Sequence, residues 1–294
     1  MGTIRQLHRQ IAPICRTIRF MRWRDQRQST NVEDRRGMRG PAVVGGGGLG
    51  VIILAIAIYM CGGDPSQLLQ NAPTGSEIPV PGQTSNKPVT QDEQRQFVGA
   101  IMGNLEDAWG QILPAQSRVR FQKANLVLFS GQVSSACGYA SAATGPFYCP
   151  GDSKLYLDFA FFDELKREFK APGDFAQAYV IAHEYGHHIQ NLTGMMDKVQ
   201  RAGQNNQLSV ALELQADCYA GVWANFAAKQ NRIEAGDPEE ALRAASAVGD
   251  DIIQKRTQGY VVPDSFTHGS AQQRMQYFAK GMQSGEMRQC QTLR

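Results

Sequence analysis

Residues 183–187 read His-Glu-Tyr-Gly-His, the HExxH pattern in which two metal ligands and a general base lie together. Histidines four positions apart on a helix project from one face, so His183 and His187 can bind one metal ion through their imidazoles. Glu184 follows the first histidine directly, where its carboxylate can accept a proton from a water molecule beside the metal. The apolar residues around the motif predict a buried helix from Asp174 to about Gly194. This pattern predicts one catalytic Zn²⁺ ion and metal-assisted hydrolysis.

A third ligand is required, because a catalytic zinc site combines three protein ligands with one open position. Thirty residues after His183, Glu213 and Asp217 lie four apart within the apolar-rich stretch 208–228. We predict Glu213 as the third ligand and Asp217 as the acceptor of a hydrogen bond from the second nitrogen of a ligand histidine. There are two alternatives. Asp217 could be the ligand and Glu213 the hydrogen-bond acceptor, or the two acids could form a pair on a solvated helix surface.

Two further features could serve the reaction and its substrate. A second electrophile usually helps to hold the negative charge that develops on a reacting carbonyl, and His268, in a loop before the next helical stretch, is our candidate. A capping or surface histidine is the alternative. Leu155, Leu157 and Phe159 alternate with polar or amphipathic residues, which predicts a strand over 154–159. We expect this strand at a sheet edge, where it would pair with an extended peptide substrate.

A stretch without charged residues separates Arg39 from Asp64, and its second half, 49–61, is almost purely apolar. About 20 residues cross the hydrocarbon core of a bilayer, and residues 42–61 supply that number. Ten arginines occur within residues 1–42, against three acidic residues. This asymmetry predicts an uncleaved transmembrane anchor with a cytoplasmic N-terminus and an extracytoplasmic C-terminal part. A buried core helix is the alternative.

The apolar stretch divides the chain into four parts. We predict a basic cytoplasmic segment over residues 1–41, the anchor over 42–61, a Pro/Gly/Ser-rich linker over 62–89 and the metal-binding domain over 90–294. Beyond residue 42 the chain carries 20 basic and 24 acidic residues, so we expect no nucleic-acid partner. The expected partners are the lipid bilayer and a protein or peptide substrate. The oligomeric state stays open.

Four cysteines lie beyond the predicted anchor, an even number that suits an oxidising compartment. Cys137 and Cys149 flank a Gly/Ala/Pro-containing stretch that can turn back on itself, which predicts a disulfide between them. Cys218 and Cys290 then pair by elimination. Four reduced, buried thiols are the alternative.

Several stretches of the chain match the pattern of one protein family: Met21-Arg-Trp-Arg, 29–37, 145–150, 183–190 and 213–221. HExxH followed by Glu-x-x-x-Asp is similar to the gluzincin arrangement of zinc metallopeptidases. More closely, the chain resembles the bacterial family of neutral zinc metallopeptidases anchored by one N-terminal membrane helix. The likeness covers nearly everything from Met21 onward, so Met21 is an alternative to Met1 as the start of the chain. The resemblance implies an α+β fold, a mainly helical zincin-like domain with a small sheet, preceded by one transmembrane helix.

These observations predict a membrane-anchored zinc endopeptidase at the bacterial inner membrane, acting on extracytoplasmic proteins or peptides. Glu184 would act as the general base and would pass the water proton to the departing amine. The alternative is a zinc-binding envelope assembly or chaperone factor that no longer cleaves. The presence of Glu184 favours the peptidase, because a lapsed enzyme has no need of its general base.

Overall fold

The computed structural model describes residues 21–37, 89–203 and 205–292, and within them the fold is α+β and mainly helical. The helices are α1 Val89–Ser117, α2 Ala160–Arg167, α3 Asp174–Leu192, α4 Met195–Ala202, α5 Asn206–Lys229, α6 Asp237–Ala247, α7 Asp250–Gln258 and α8 Ala271–Ser284. The strands are β1 Val32–Asp34, β2 Asn125–Phe129, β3 Gln132–Ser135, β4 Gly138–Ser141, β5 Phe147–Cys149 and β6 Lys154–Asp158. The predicted combination of many helices with a small sheet is therefore confirmed.

Four strands form one sheet in the order β1-β2-β6-β5, and β3 and β4 form a separate hairpin. Strand β6 is parallel to β2 on one side and antiparallel to β5 on the other. The strand predicted over 154–159 is present, but its expected position at a sheet edge is wrong. The backbone N–H and C=O groups of β6 pair with β2 on one side and with β5 on the other, so they are not available to pair with a substrate. The outer positions of this sheet belong to β1 and β5.

Residues 21–37 belong to the folded domain, which corrects the predicted basic segment over 1–41. Val32 pairs with Leu126 in a parallel β1–β2 ladder. Met21 and Trp23 are buried in the main hydrophobic core, with 2% and 5% of their surface exposed. A three-residue strand with two charged residues shows no alternation of apolar and polar side chains from which it could be predicted. In the sequence alone, the surrounding arginines look like the positive charges that fix the orientation of a membrane helix.

One buried carboxylate holds this N-terminal segment against α1. The side chain of Glu106 is fully buried and accepts hydrogen bonds from Ser29 Oγ, from Asn31 Nδ2 at 2.7 Å and from Arg27 Nη2 at 2.9 Å. Lys123 Nζ lies 3.2 Å from the same carboxylate. Burial alone would raise the pKa of Glu106, but these donors outweigh it and lower the pKa below its ordinary value.

The helices that carry the metal motif pack at close range. A Cβ atom on Gly281 of α8 would lie 1.9 Å from the carbonyl oxygen of Cys218 on α5, and one on Gly221 would lie 2.1 Å from that of Phe278. Glycine at both positions lets the two backbones touch. Helix α3 packs against α5 and α6, so the HExxH helix is enclosed on several sides.

Both predicted disulfides are present. Cys137 pairs with Cys149, and Cys218 pairs with Cys290, which ties α5 to the C-terminal 3-10 turn Met287–Cys290. The alternative of four reduced thiols is wrong.

The predicted anchor over 42–61, residues 1–20 and almost the whole predicted linker over 62–89 lie outside the described residues. Among the helices that the structure does describe, none combines the length and the apolar character that crossing a bilayer requires.

Candidate metal centre

Helix α3 presents the two histidines from a buried position. The helix begins at Asp174 after Gly173, whose φ of 139° is a conformation that favours glycine. It ends at Leu192, close to the predicted end. His183 is only 6% exposed, and its ring meets that of His187 edge-on with 4.8 Å between the centroids. The four-residue spacing therefore has the predicted effect of placing both imidazoles on one face.

Helix α5 brings Glu213 to the same place. Its Oε2 lies 3.1 Å from His183 Nε2, and its Oε1 lies 3.4 Å from His187 Nε2. One ligand atom from each of the three residues lies within 4.8 Å of the others, so the group could hold a metal ion. The close approach depends on Gly186 inside the motif, because a Cβ there would lie 2.9 Å from the carbonyl oxygen of Ala216.

A second layer of acceptors orients the two imidazoles. His183 Nδ1 lies 2.8 Å from Asp217 Oδ1, and His187 Nδ1 lies 2.8 Å from Gln190 Oε1. Since both partners accept, the ring protons are assigned to Nδ1, which leaves the two Nε2 atoms to face Glu213. Gln190 is fixed in turn, because its Nε2 donates to the carbonyl oxygen of Leu212 at 2.7 Å. Metal-binding histidines commonly have such partners.

Arg274 on α8 completes the layer behind the histidines. Its Nε donates to Asp217 Oδ2 at 2.8 Å and its Nη2 to Oδ1 at 3.0 Å, a bidentate pair in which Asp217 is fully buried. Tyr179 donates its hydroxyl to the same Oδ1. The Nη2 atom also lies 4.0 Å from Glu213 Oε2 and within 3.5 Å of both ring nitrogens of His183. Asp217 therefore holds the charge of Arg274 as well as the ring of His183.

The electrostatics of the group follow from burial and from these charges. Burial lowers the pKa of His183, but Asp217 and Glu213 outweigh it and raise that pKa to about 10; the pKa of His187 is raised in the same way, chiefly by Glu213. Burial raises the pKa of Glu213, but the two histidines hold it well below its ordinary range. The site therefore favours an ionised Glu213 that faces positive charge. A bound metal ion would supply this charge in place of the imidazole protons.

The ligand group lines a cavity of about 510 Å³. Glu184 lines it as well and is half-buried, and burial raises the pKa of its carboxyl above the ordinary value. A general base with a raised pKa is better matched to neutral pH than an exposed glutamate. Phe147 and Tyr148, on the outer strand β5, also line the cavity.

His268 lies on the lining of this same cavity, and a buried aspartate fixes its loop. Asp250 Oδ2 accepts hydrogen bonds from the backbone N–H groups of Thr267 (2.7 Å), His268 (2.6 Å) and Gly269 (3.0 Å). The imidazole Nδ1 lies 3.1 Å from Asp250 Oδ1, and this hydrogen bond raises the pKa of His268. The side chain is 52% exposed, so the ring is available to a molecule in the cavity.

The structure thus brings all the predicted site residues to one cavity or to the layer behind it, and it adds three that the sequence reasoning missed. Gln190 could have been found, since it lies three residues after His187 and so on the same helix face. No sequence pattern indicated Asp250 and Arg274, because their partners in the site, His268 and Asp217, are distant from them in the chain.

The α+β domain combines two histidines of an HExxH helix with a glutamate from the next long helix and a second glutamate beside them. This arrangement is typical of zinc metallopeptidases. The chain belongs to the family described as "Putative neutral zinc metallopeptidase", which it matches over residues 21–293. The predicted family is therefore confirmed.

Similar proteins occur in several bacteria. The "Uncharacterized protein YpfJ" of Escherichia coli is 44% identical over 287 residues, which cover 92% of this chain and 98% of that protein. The "Uncharacterized protein Rv2575" of Mycobacterium tuberculosis is 42% identical over 250 residues, covering 79% of this chain and 84% of that protein. No solved structure matches the chain.

Proposed function

We propose that this protein is a zinc-dependent endopeptidase that hydrolyses proteins or peptides outside the cytoplasm. The observation that carries the proposal is the convergence of His183, His187 and Glu213 at the wall of an open cavity that Glu184 also lines. Two imidazoles and one carboxylate are a ligand set typical of catalytic zinc. The proposed roles of Glu213 as ligand and of Asp217 as hydrogen-bond acceptor are supported by the distances of these residues from the histidines.

Glu184 and His268 would have separate roles in peptide hydrolysis. A zinc ion, when bound, acidifies a water molecule and polarises the scissile carbonyl. Glu184, which lines the cavity beside the proposed ligands, would accept a proton from the attacking water and deliver it to the departing amine. His268, held by Asp250, donates a hydrogen bond to the carbonyl oxygen as negative charge develops there.

The extracytoplasmic location is proposed from the two disulfides, since these persist mainly in oxidising compartments. The membrane anchor over 42–61 stays a prediction from the sequence. The alternative of a non-cleaving zinc-binding factor gains no support from the site, because Glu184 lies in the cavity beside the ligand group.

The test compares the wild type with Glu184→Gln, both as the full chain in detergent. A fragment starting after the apolar stretch is unsuitable, because it would lack β1 and the buried Met21 and Trp23. Each protein is loaded with one equivalent of zinc and incubated with an unfolded protein at pH 7. We expect cleavage by the wild type, a loss of at least about 100-fold in Glu184→Gln, and no loss in the exposed control Glu168→Gln.

Zinc content is measured on the same samples. Equal zinc in the wild type and Glu184→Gln, with cleavage by the wild type only, supports the proposal. Zinc binding without cleavage of any of a panel of unfolded proteins and peptides contradicts it and favours the non-cleaving factor.

A further inference from the structure

A second acidic group lies at the start of helix α3, away from the metal ligands. Asp174, the first residue of α3, meets Asp237 and Glu240 of α6, with one oxygen of each within 4.8 Å of the others. We call these three residues the acidic cluster. A Cβ on Gly173 would lie 2.0 Å from Glu240 Oε2, so glycine there makes room for the carboxylate.

The acidic cluster is incompletely satisfied by the rest of the described residues. The backbone N–H of Glu234 donates to Asp237 Oδ2 at 2.8 Å, and that of Phe175 donates to Glu240 Oε2 at 3.2 Å. Asp174 Oδ2 and Asp237 Oδ1 are buried and have no hydrogen-bond partner among those residues. Asp237 is only 1% exposed, so water does not provide a ready substitute.

Burial raises the pKa of all three carboxyl groups, that of Asp237 to about 7, and repulsion by the neighbouring carboxylates adds to the rise for Asp237 and Glu240. Buried like charges at this separation are stable only with protons or with a positive group between them. The cluster therefore has the chemistry of a receptor for a cation or for a cationic group.

The backbone nitrogen of Met21 points into the acidic cluster, 3.2 Å from Asp174 Oδ1. Its position is fixed, because the Met21 side chain is 2% exposed and lies in the main core with Trp23. As an internal amide this nitrogen offers one hydrogen and no charge. As the α-amino group of a chain end, it would be an ammonium with three hydrogens and a positive charge, and its ordinary pKa is about 7.7–8.0.

We propose that the acidic cluster binds a free α-ammonium group at Met21, so that the functional polypeptide begins at this residue. The family match also begins at Met21. The free amine arises by initiation of translation at Met21, or by hydrolysis of the Phe20–Met21 peptide bond by a peptidase, in which water gives a carboxylate on Phe20 and the amine on Met21. In both cases the ammonium joins the N-terminal segment, the start of α3 and the start of α6.

A metal ion fits the acidic cluster less well. Calcium binds six to eight oxygen atoms, whereas the neighbours described here direct backbone N–H groups at the cluster, from Met21, Phe175 and Glu234. An ammonium needs only acceptors, and the two partnerless oxygens of Asp174 and Asp237 supply them.

The test uses three proteins in detergent with N-termini verified by mass spectrometry: residues 21–294, the same chain with one serine before Met21, and residues 1–294. The added serine moves the charged amine by one residue, about 3.8 Å. We expect the melting temperature of 21–294 to exceed that of both longer chains by about 3 °C or more. The same comparison is made in Asp237→Asn, in Asp174→Asn and in the control Glu239→Gln, which is exposed on α6 and outside the acidic cluster.

The difference between the chain lengths should shrink by at least half in Asp237→Asn and in Asp174→Asn, and persist in Glu239→Gln. Equal melting temperatures for the three chain lengths would overturn the proposal. So would a difference that neither cluster variant changes, since this would indicate steric crowding by the extra residues. If Ca²⁺ raises the melting temperatures of all three chains to one common value, the cluster is a cation site and the proposal fails.

The source of the amine is identified in cells. The gene is expressed with the Met1 codon replaced by one that does not initiate, and the mature protein is analysed by mass spectrometry. An unchanged product that begins at Met21 indicates initiation there, and loss of that product indicates hydrolysis after Phe20. A mature chain that begins only at Met1 would overturn the proposal.

Discussion

Replacing Asp217 by asparagine separates the two roles that the sequence left open for the acids of α5. Asp217 lies behind His183, 2.8 Å from its Nδ1, whereas Glu213 faces the Nε2 atoms. If Asp217 only orients the imidazole, Asp217→Asn should weaken zinc binding 10- to 100-fold, about 1.4–2.7 kcal/mol. Glu213→Gln, which removes a direct ligand, should weaken it further.

The variant also leaves Arg274 without its bidentate partner in a buried position. Removing one member of a buried ion pair lowers the free energy of unfolding by about 3–5 kcal/mol. Arg274 Nη2 lies 4.0 Å from Glu213 Oε2 and is expected to turn toward it, which adds to the loss of zinc affinity. The double variant Asp217→Asn/Arg274→Met removes the orphaned charge and should recover part of the stability.

Zinc affinity is measured by competition with a chromogenic chelator and stability by urea unfolding, both on the full chain in detergent. Asp158→Asn is the matched control, because Asp158 is a buried aspartate outside the site that caps backbone N–H groups of Gly131 and Ala160. It should leave zinc affinity unchanged. The reasoning is refuted if Asp217→Asn binds zinc as tightly as the wild type. A loss equal to or larger than that of Glu213→Gln would make Asp217 the direct ligand.

Three further results are expected. Cys290→Ser removes the Cys218–Cys290 disulfide, whose sequence separation is 72, and should lower the free energy of unfolding measured in urea by about 4 kcal/mol. An unchanged free energy of unfolding would show that this disulfide does not stabilise the protein. The hydrogen bond to Asp250 raises the pKa of His268, so the stability from its protonated ring is complete below pH 6.5 and is lost as pH rises through the higher folded pKa. NMR titration should show that raised pKa, and His268→Gln should lose this pH dependence, whereas an imidazole pKa at or below 6.5 contradicts the pairing. Glu106→Gln should speed amide hydrogen exchange across residues 21–37 at least tenfold, because it weakens the buried hydrogen bonds that hold this segment. The control Asp107→Asn, at an exposed position, should change the exchange rates little. Equal rates in both variants would show that Glu106 does not hold the segment.

The ligand group was largely predictable because its information is local. His183, Glu184 and His187 occupy one helical turn, and their spacing alone fixes which side chains share a face. Glu213 was predictable because an acid inside an apolar stretch needs a reason to be buried, and metal binding is such a reason. The structure places it within reach of both histidines.

Other features depend on pairings that no local pattern encodes. Arg274 is one charge in an amphipathic helix until α8 packs against α5 through Gly281, which brings it to Asp217. The alternation over 154–159 predicts a strand, but the number of neighbours of that strand depends on segments elsewhere in the chain. For β1 the partner is about 90 residues away, and the arginines around the strand favour the interpretation of a basic tail.

The ladder between β1 and β2 also determines where the charge of the N-terminal segment acts. Backbone hydrogen bonds between Val32–Asp34 and Leu126–Leu128 require both segments to share one aqueous compartment. Consequently, the arginines of residues 22–36 lie beside the helices of the domain, and their charge serves its fold, as in the pairs of Arg27 with Glu106 and Asp107 of α1.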